Sequence, residues 1–181
     1  GTAVVTVADG VTFTAAASVV NGKTITDGSA NANVAITALH STLAADLSNI
    51  DTNSVTAAFD GDGTFTGDIG NAVVTVTDGA TLTAAGNKLA GHTINKSGTG
   101  DNNGAIVVTL NAAADTAVDL TTISGTVNIT SITAHSSFTF TGTLHATTAT
   151  TVANGVTFTS AASVVTGKTI SDGSDSATVA I

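Results

Sequence analysis

The chain has 181 residues, thirteen acidic and four basic side chains for a net charge of −9, and no Pro, Cys, Met, Trp, Tyr, Glu, Gln or Arg. That composition excludes disulfides and thiolate metal sites, a basic nucleic-acid footprint, and most of the long side chains that build helix surfaces. Thr occurs 37 times, Val 20 and Ile 11; these stiff, β-branched residues suit a pleated, half-buried surface, so the expected class is all-β.

Gly1 opens the chain without Met or a signal segment, which reads as a mature form or an excised fragment of a longer exported protein, the fragment being the favoured reading. Val4-Val5-Thr6-Val7 alternates up to Asp9-Gly10, and Val11-Thr12-Phe13-Thr14 resumes the alternation. Asn21-Gly22 precedes Lys23-Thr24-Ile25-Thr26, Asp27-Gly28 closes that strand, and Val34-Ala35-Ile36 opens another. Asn-Gly and Asp-Gly supply positive φ at low cost and mark corners. Leu39, Leu43, Leu47 and Ile50 then fall at spacings of one helix face, which predicts a short helical or irregular corner with these residues in the core. No apolar run exceeds the four residues of Ala105-Ile106-Val107-Val108, far short of the roughly 20 that cross a bilayer as a helix.

The same text returns further along. Thr6 to Ile36 and Thr151 to Ile181 align without a gap and agree at 24 of 31 positions. A middle copy starts at Thr75 and diverges in a loop around Lys96 to Gly104. Ala45-Asp46-Leu47 answers Val118-Asp119-Leu120, and Thr64-Phe65-Thr66-Gly67 answers Thr139-Phe140-Thr141-Gly142. Residues 1–71 are thus a first unit, 72–146 a second and 147–181 part of a third, in one continuous array.

Two architectures fit. Asn-Gly and Asp-Gly are strong hairpin signals, which favours tandem antiparallel β-sandwich domains. The last residue matches the middle of a unit, which a sandwich tolerates poorly and a solenoid tolerates anywhere, since each coil touches only its neighbours. Ala15-Ala16-Ala17, Ala84-Ala85 and Ala161-Ala162 suit tight inward corners. The reading is therefore a right-handed parallel β-solenoid built from internal repeats, about nine coils of ~20 residues and a rod of roughly 40 Å. Copies of one motif should sit in register along the axis, with Phe13, Leu82 and Phe158 at equivalent inward positions.

Few residues offer chemistry. His40, His92, His135 and His145 share no metal-ligand spacing. Asp46/Asp51 and Asp115/Asp119 are the carboxylate pairs a hydrolase would need, but turns and solvent explain them, and no enzyme is expected. Asp60, Asp62 and Asp68, in Asp60-Gly61-Asp62-Gly63-Thr64 and just after it, resemble the start of a calcium loop. They depart from it at Phe65 and Asn71, where that loop has Gly and Glu, so a solvated turn competes with calcium. Thr-x-Thr pairs at Thr12, Thr24, Thr64, Thr75, Thr81, Thr139 and Thr157 could order water on a flat face, but their starts are irregularly spaced.

VTV-x-[DN]G-x-T-[FL]-T, GKTI-[ST]-DGS and the DL-S/T-x-x-I text resemble the tandem repeats of long bacterial exported β-strand-repeat proteins, a loose group that includes adhesins and surface-layer proteins. The resemblance spans the chain in style and composition and transfers no catalytic residue. It implies an extracellular location on the bacterial surface, a structural or adhesive role, and calcium as a possible lattice ion. The partners expected are further copies of itself, head to tail, and cell-surface glycans. A glycan- or ice-binding solenoid module is the alternative. Both ends, Thr2-Ala3-Val4-Val5 and Ala177-Thr178-Val179-Ala180-Ile181, are uncharged and β-prone, which predicts end-to-end association or continuation into more repeats.

Overall fold

A computed structural model of the chain describes residues 3–29, 31–98, 103–112, 114–126, 128–173 and 176–181. Thr2, in the first end segment, and residues 99–102 of the Lys96 to Gly104 loop lie outside the described residues.

The elements run β1 (Val5–Val7), β2 (Thr12–Ala16), α1 (Ala17–Val20), β3 (Ile25–Asp27), β4 (Asn33–Thr37), β5 (Ile50–Asp51), β6 (Ser54–Phe59), β7 (Gly63–Phe65), β8 (Val73–Val76) and β9 (Thr81–Ala85). After them come α2 (Gly86–Leu89), β10 (Ile94–Lys96), β11 (Ala105–Leu110), β12 (Ile129–Ala134), β13 (Phe138–Phe140), β14 (Thr150–Val152), β15 (Thr157–Ser160), α3 (Ala162–Val165), β16 (Ile170–Asp172) and β17 (Thr178–Ala180). Every pairing among the described strands is parallel, within four sheets ordered β1-β3-β5, β2-β4-β6-β8-β10, β7-β9-β11-β12-β14-β16 and β13-β15-β17. Partners are one coil apart, as in Thr12↔Asn33↔Ser54 and Ile132↔Thr150↔Ile170. The chain is a stacked, all-parallel β-solenoid of about eight turns, roughly 40 Å long at the ~4.8 Å spacing of neighbouring strands.

The antiparallel alternative fails at the turns. A two-residue type I′ hairpin needs positive φ at both central residues. In Ala8-Asp9-Gly10-Val11 only Gly10 is positive (φ 70), and Val11 N–H closes on Ala8 O at 3.1 Å. Thr77 to Ala80 and Ala153 to Val156 repeat this geometry, with Gly79 at φ 76 and Gly155 at φ 70. These are type II bends, which turn a corner between two sides of the coil instead of folding a strand back on itself.

A second corner also recurs. After β2, β9 and β15, a residue in extended conformation (Ala16, Ala85, Ala161) leads into a single helical turn, α1, α2 or α3. A type II turn then follows at Asn21-Gly22, Ala90-Gly91 and Thr166-Gly167, closed by Lys23, His92 and Lys168 N–H bonds of 3.0, 3.1 and 3.0 Å. In the first two units a small first residue lets the backbone of the helical turn fold inward: Ala17 is fully buried, and a Cβ on Gly86 would lie 3.1 Å from Leu110 and 3.2 Å from Val118, whereas Ala162 is exposed. The Leu39 to Ile50 stretch forms only a three-residue 3₁₀ turn, Leu39–Ser41, entered through Ala38 in left-handed conformation (φ 53). Its apolar spacing marks successive inward points around a bend, with Leu39, Leu47 and Ile50 buried and Leu43 packed against them.

The repeat is not in register along the axis. β8, the second-unit equivalent of β1, stacks on the end of β6, and β14 stacks on the end of β12. Likewise β9 stacks on β7, and β15 on β13. Each unit thus winds three turns plus one side, so the next copy starts on the adjacent side of the prism. Phe13, Leu82 and Phe158 all point inward, yet they pair in three different sheets, with Val34, with Gly63 and Ile106, and with Phe138 and Val179. The core stays continuous through this rotation because each inward row accepts any β-branched, Leu, Ala or Phe side chain, as in Val34↔Val55, Ala57↔Val74↔Ile94 and Ala84↔Val108↔Ile132. One bulge interrupts the ladders: Thr130 has no partner between Ile106↔Ile129 and Val107↔Ser131, and its hydroxyl donates to Ile106 O at 3.2 Å.

Candidate functional site

Polar side chains gather at the corners, where they tie one coil to the next. Asp46 Oδ1 accepts the Ser48 hydroxyl at 2.6 Å and the Ser48 N–H at 3.0 Å. These two bonds, the hydroxyl foremost, hold its carboxyl below the usual carboxylate range. Asp119 repeats the motif with Thr121, at 2.6 and 2.9 Å. One coil below Asp46, Asn21 Oδ1 accepts the Asp46 N–H at 2.9 Å; one coil above, Asp68 bridges to Asp46 through the backbone. At another corner, Asn31 Nδ2 donates to Asp9 Oδ1 at 3.1 Å, and Ser176 donates to Asn154 at the same place in the third unit. Asn103 and Asp78 occupy these positions in the second unit. The buried Asn103 Oδ1 has no hydrogen-bond partner among the described residues.

The three aspartates expected to hold calcium are directed to three different places. Asp60 Oδ1 lies 2.6 Å from His40 Nδ1 in the preceding coil. Asp62 Oδ1 accepts the Thr81 N–H at 2.7 Å in the following coil. Asp68 Oδ1 accepts the Gly70 N–H at 2.8 Å at the next corner. The glycines between them serve packing: a Cβ on Gly61 would lie 2.7 Å from His40 Cδ2, and one on Gly63 2.6 Å from Leu43 Cδ2. Among the described residues no three His, Cys, Asp or Glu side chains gather as a metal-ion group. His40 and Asp60 form a His–carboxylate pair, and no hydroxyl among the described residues is hydrogen-bonded to His40.

His145 is the histidine set apart by its surroundings. Burial, and secondarily the Lys168 charge, push its pKa down; Nδ1 faces the Thr148 hydroxyl at 3.1 Å. The unfolded chain binds a proton here near pH ~6.5, whereas the folded chain resists it. The stability that neutral His145 contributes is therefore complete above that pH and declines as pH falls through the depressed folded value. We expect the urea midpoint of the wild type to fall over that acidic window and the fall to be shallower in His145→Gln. Parallel profiles for the two proteins would refute it.

Sequence reasoning passed over Asp115 as a solvated turn residue. It is fully buried, with Oδ1 accepting the Asn87 N–H at 2.7 Å and Oδ2 the Asn111 N–H at 2.8 Å. Its signal was present: a carboxylate set among alanines in Asn111-Ala112-Ala113-Ala114-Asp115 has little to solvate it but backbone.

Open grooves lie on the outer walls. One, of about 380 Å³, is lined by Thr26, Asp27, Asp51, Thr52 and Asn53. Another, of about 290 Å³, is lined by Lys88, Asn87, Asn111, Thr109, Phe65 and Ala85 among others. The Thr-x-Thr pairs spread over four sheets instead of ranking on one: Thr24 starts a pair beside β3, Thr139 and Thr157 in β13 and β15, Thr12 and Thr75 in β2 and β8, and Thr64 and Thr81 in β7 and β9. Among the described residues no helix is long and apolar enough to cross a membrane. Comparison with known proteins finds no matching family model, no similar curated protein and no similar solved structure.

Proposed function

We propose that the chain is a structural rod segment of a bacterial extracellular surface protein, extended by stacking further coils of its own kind. The observation that carries this reading is where large apolar side chains meet solvent. Among the described residues these are Val4, Val5, Val11 and Val19 in the first coil, and Val179 and Ile181 in the last. The side walls between them are polar. The rod's two end surfaces are thus the apolar ones, the surfaces on which another coil stacks, whether from a continuing chain or another molecule. The two end surfaces differ, β1 and β2 at one and β16 and β17 at the other, so the contact between molecules is head to tail and does not close on itself. Lateral attachment to glycans would fall to the grooves. The reading requires no bound ion: the Asp60 and Asp62 carboxylates bond to neighbouring coils and that of Asp68 to its own corner, and calcium would act on assembly by screening the surplus of carboxylates.

Sedimentation velocity over a wide concentration range tests this. The expected result is a coefficient that rises continuously with concentration and returns to the monomer value when Val5 and Val179 are both replaced by Lys. A wild-type monomer at every concentration would overturn end-to-end stacking.

A further inference from the structure

We propose that Asn154-Gly155 is a site of spontaneous deamidation that rewrites the third unit into the sequence of the first two, and that the fold shields the chain's other Asn-Gly steps from the same reaction. In this reaction the backbone nitrogen of the glycine attacks the Asn side-chain carbonyl carbon. The new C–N bond closes a succinimide, the Cγ–Nδ2 bond breaks, and ammonia leaves with the proton given up by the backbone nitrogen. Water then opens the ring at one carbonyl or the other, giving aspartate or isoaspartate. The net change is Asn plus water to Asp plus ammonia, with no oxidant, metal or enzyme. Glycine is the preferred follower because it has no side chain to obstruct the attack.

The sequence contains three such steps: Asn21-Gly22, Asn103-Gly104 and Asn154-Gly155. The structure treats them differently. At Asn21 both reacting groups are held by one residue of the next coil: Oδ1 accepts the Asp46 N–H at 2.9 Å, and the attacking nitrogen, Gly22 N, donates to Asp46 O at 2.9 Å. Attack requires that nitrogen to leave its acceptor. At Asn103 the glycine is buried, and the Val76 carbonyl packs so closely that a Cβ on Gly104 would lie 2.2 Å from its oxygen. The backbone there has no room to swing toward the side chain.

At Asn154 the attacking nitrogen is not held in this way. Both residues are exposed, no acceptor among the described residues engages the Gly155 N–H, and no described atom lies within 4 Å of where a Gly155 Cβ would be. Among the described residues the side chain is tied by the Ser176 hydroxyl, which donates to Asn154 Oδ1. That donor is placed to stabilise the oxyanion that develops when the nitrogen attacks. The product also fits the fold: the equivalent corners carry Asp9 and Asp78, each followed by glycine, and Asp9 accepts a side-chain donor from the next coil just as Asn154 does. Each event adds one negative charge to an outer corner of the rod.

Incubation of the intact protein in mildly alkaline buffer, followed by peptide mapping, measures the three rates; the same incubation in concentrated urea gives the unfolded reference for each. In urea the three steps are expected to react alike. In the folded protein Asn154 should stay close to its unfolded rate, while Asn21 slows by ~10-fold or more, the effect of one net hydrogen bond that must be broken, and Asn103 slows at least as much. Asn154→Asp should fold and melt like the wild type. Equal protection of all three steps, faster reaction at Asn21 than at Asn154, or a clearly destabilised Asn154→Asp would overturn the proposal.

Discussion

Phe158→Ala should lower the unfolding free energy by about 3–5 kcal/mol, the usual loss for a buried ring truncated in a core that cannot collapse. Phe158 is fully buried on β15, with β13 stacked on one side and β17 on the other. Its ring meets Phe138 edge-on at 5.8 Å and Phe140 in a tilted arrangement at 5.7 Å, contacts that contribute beyond the area they bury. Hydrogen-bonded ladders on both sides hold the cavity walls apart, so neighbours cannot fill the space. Phe13 is the control that sequence alone would call identical, since Val11-Thr12-Phe13-Thr14 and Val156-Thr157-Phe158-Thr159 carry the same residues. Phe13 lies in the first coil, half-buried, with a strand partner on one side only, so Phe13→Ala should cost roughly 1–2 kcal/mol. Urea denaturation of the two variants separates these values. Equal losses would mean that a second stacked strand does not set the depth of an inward position.

That contrast also marks how far the sequence could be read. The class, the parallel stacking and the coil length follow from the β-branched composition, the unit repeat and the Ala-rich corners. The rotation of one side per unit does not follow, because it depends on how many residues each corner consumes. The stretch between Asp68 and Val73 is short enough to set β8 on β6, and no motif announces that shortening. The Asp-Gly and Asn-Gly pairs were legible as corners but ambiguous in kind; only the sign of φ at the residue before the glycine separates a type II bend from a hairpin. The aspartates of Asp60-Gly61-Asp62-Gly63 were legible as polar turn residues. Their assignment to different coils was not, since His40 and Thr81 lie about twenty residues away in either direction and meet them only through stacking.

Asp115 is where the second unit departs from the first, and removing its carboxylate should be the costliest polar change in the rod. The corner helix reads Ala17-Ser18-Val19-Val20 in the first unit and Ala162-Ser163-Val164-Val165 in the third, but Gly86-Asn87-Lys88-Leu89 in the second. Counting back from the matched Asp46 and Asp119, the first unit has Thr42 where the second has Asp115, and the local backbone turn is the same: Ala45 N–H bonds to Thr42 O and Val118 N–H to Asp115 O. What differs is the side chain, which reaches across to α2 through Asn87 N–H and back to Asn111 N–H. Hydrogen bonds to a charged group contribute about 1.5–3 kcal/mol each, so Asp115→Ala should cost on the order of 3–5 kcal/mol. Asp115→Asn retains one acceptor but turns its amide donors toward the other N–H, so about half that loss is expected. Asp115→Thr, the residue of the first unit, should not rescue, because its hydroxyl offers one short-reaching acceptor for two donors. Equilibrium unfolding of the three variants, with hydrogen exchange at Asn87 and Asn111, gives the test. Fast exchange at both amides in the Ala variant and at one in the Asn variant is the expected pattern. Unchanged protection at Asn87 in Asp115→Ala would show that α2 is held by the packing of Leu89 and Leu110 alone.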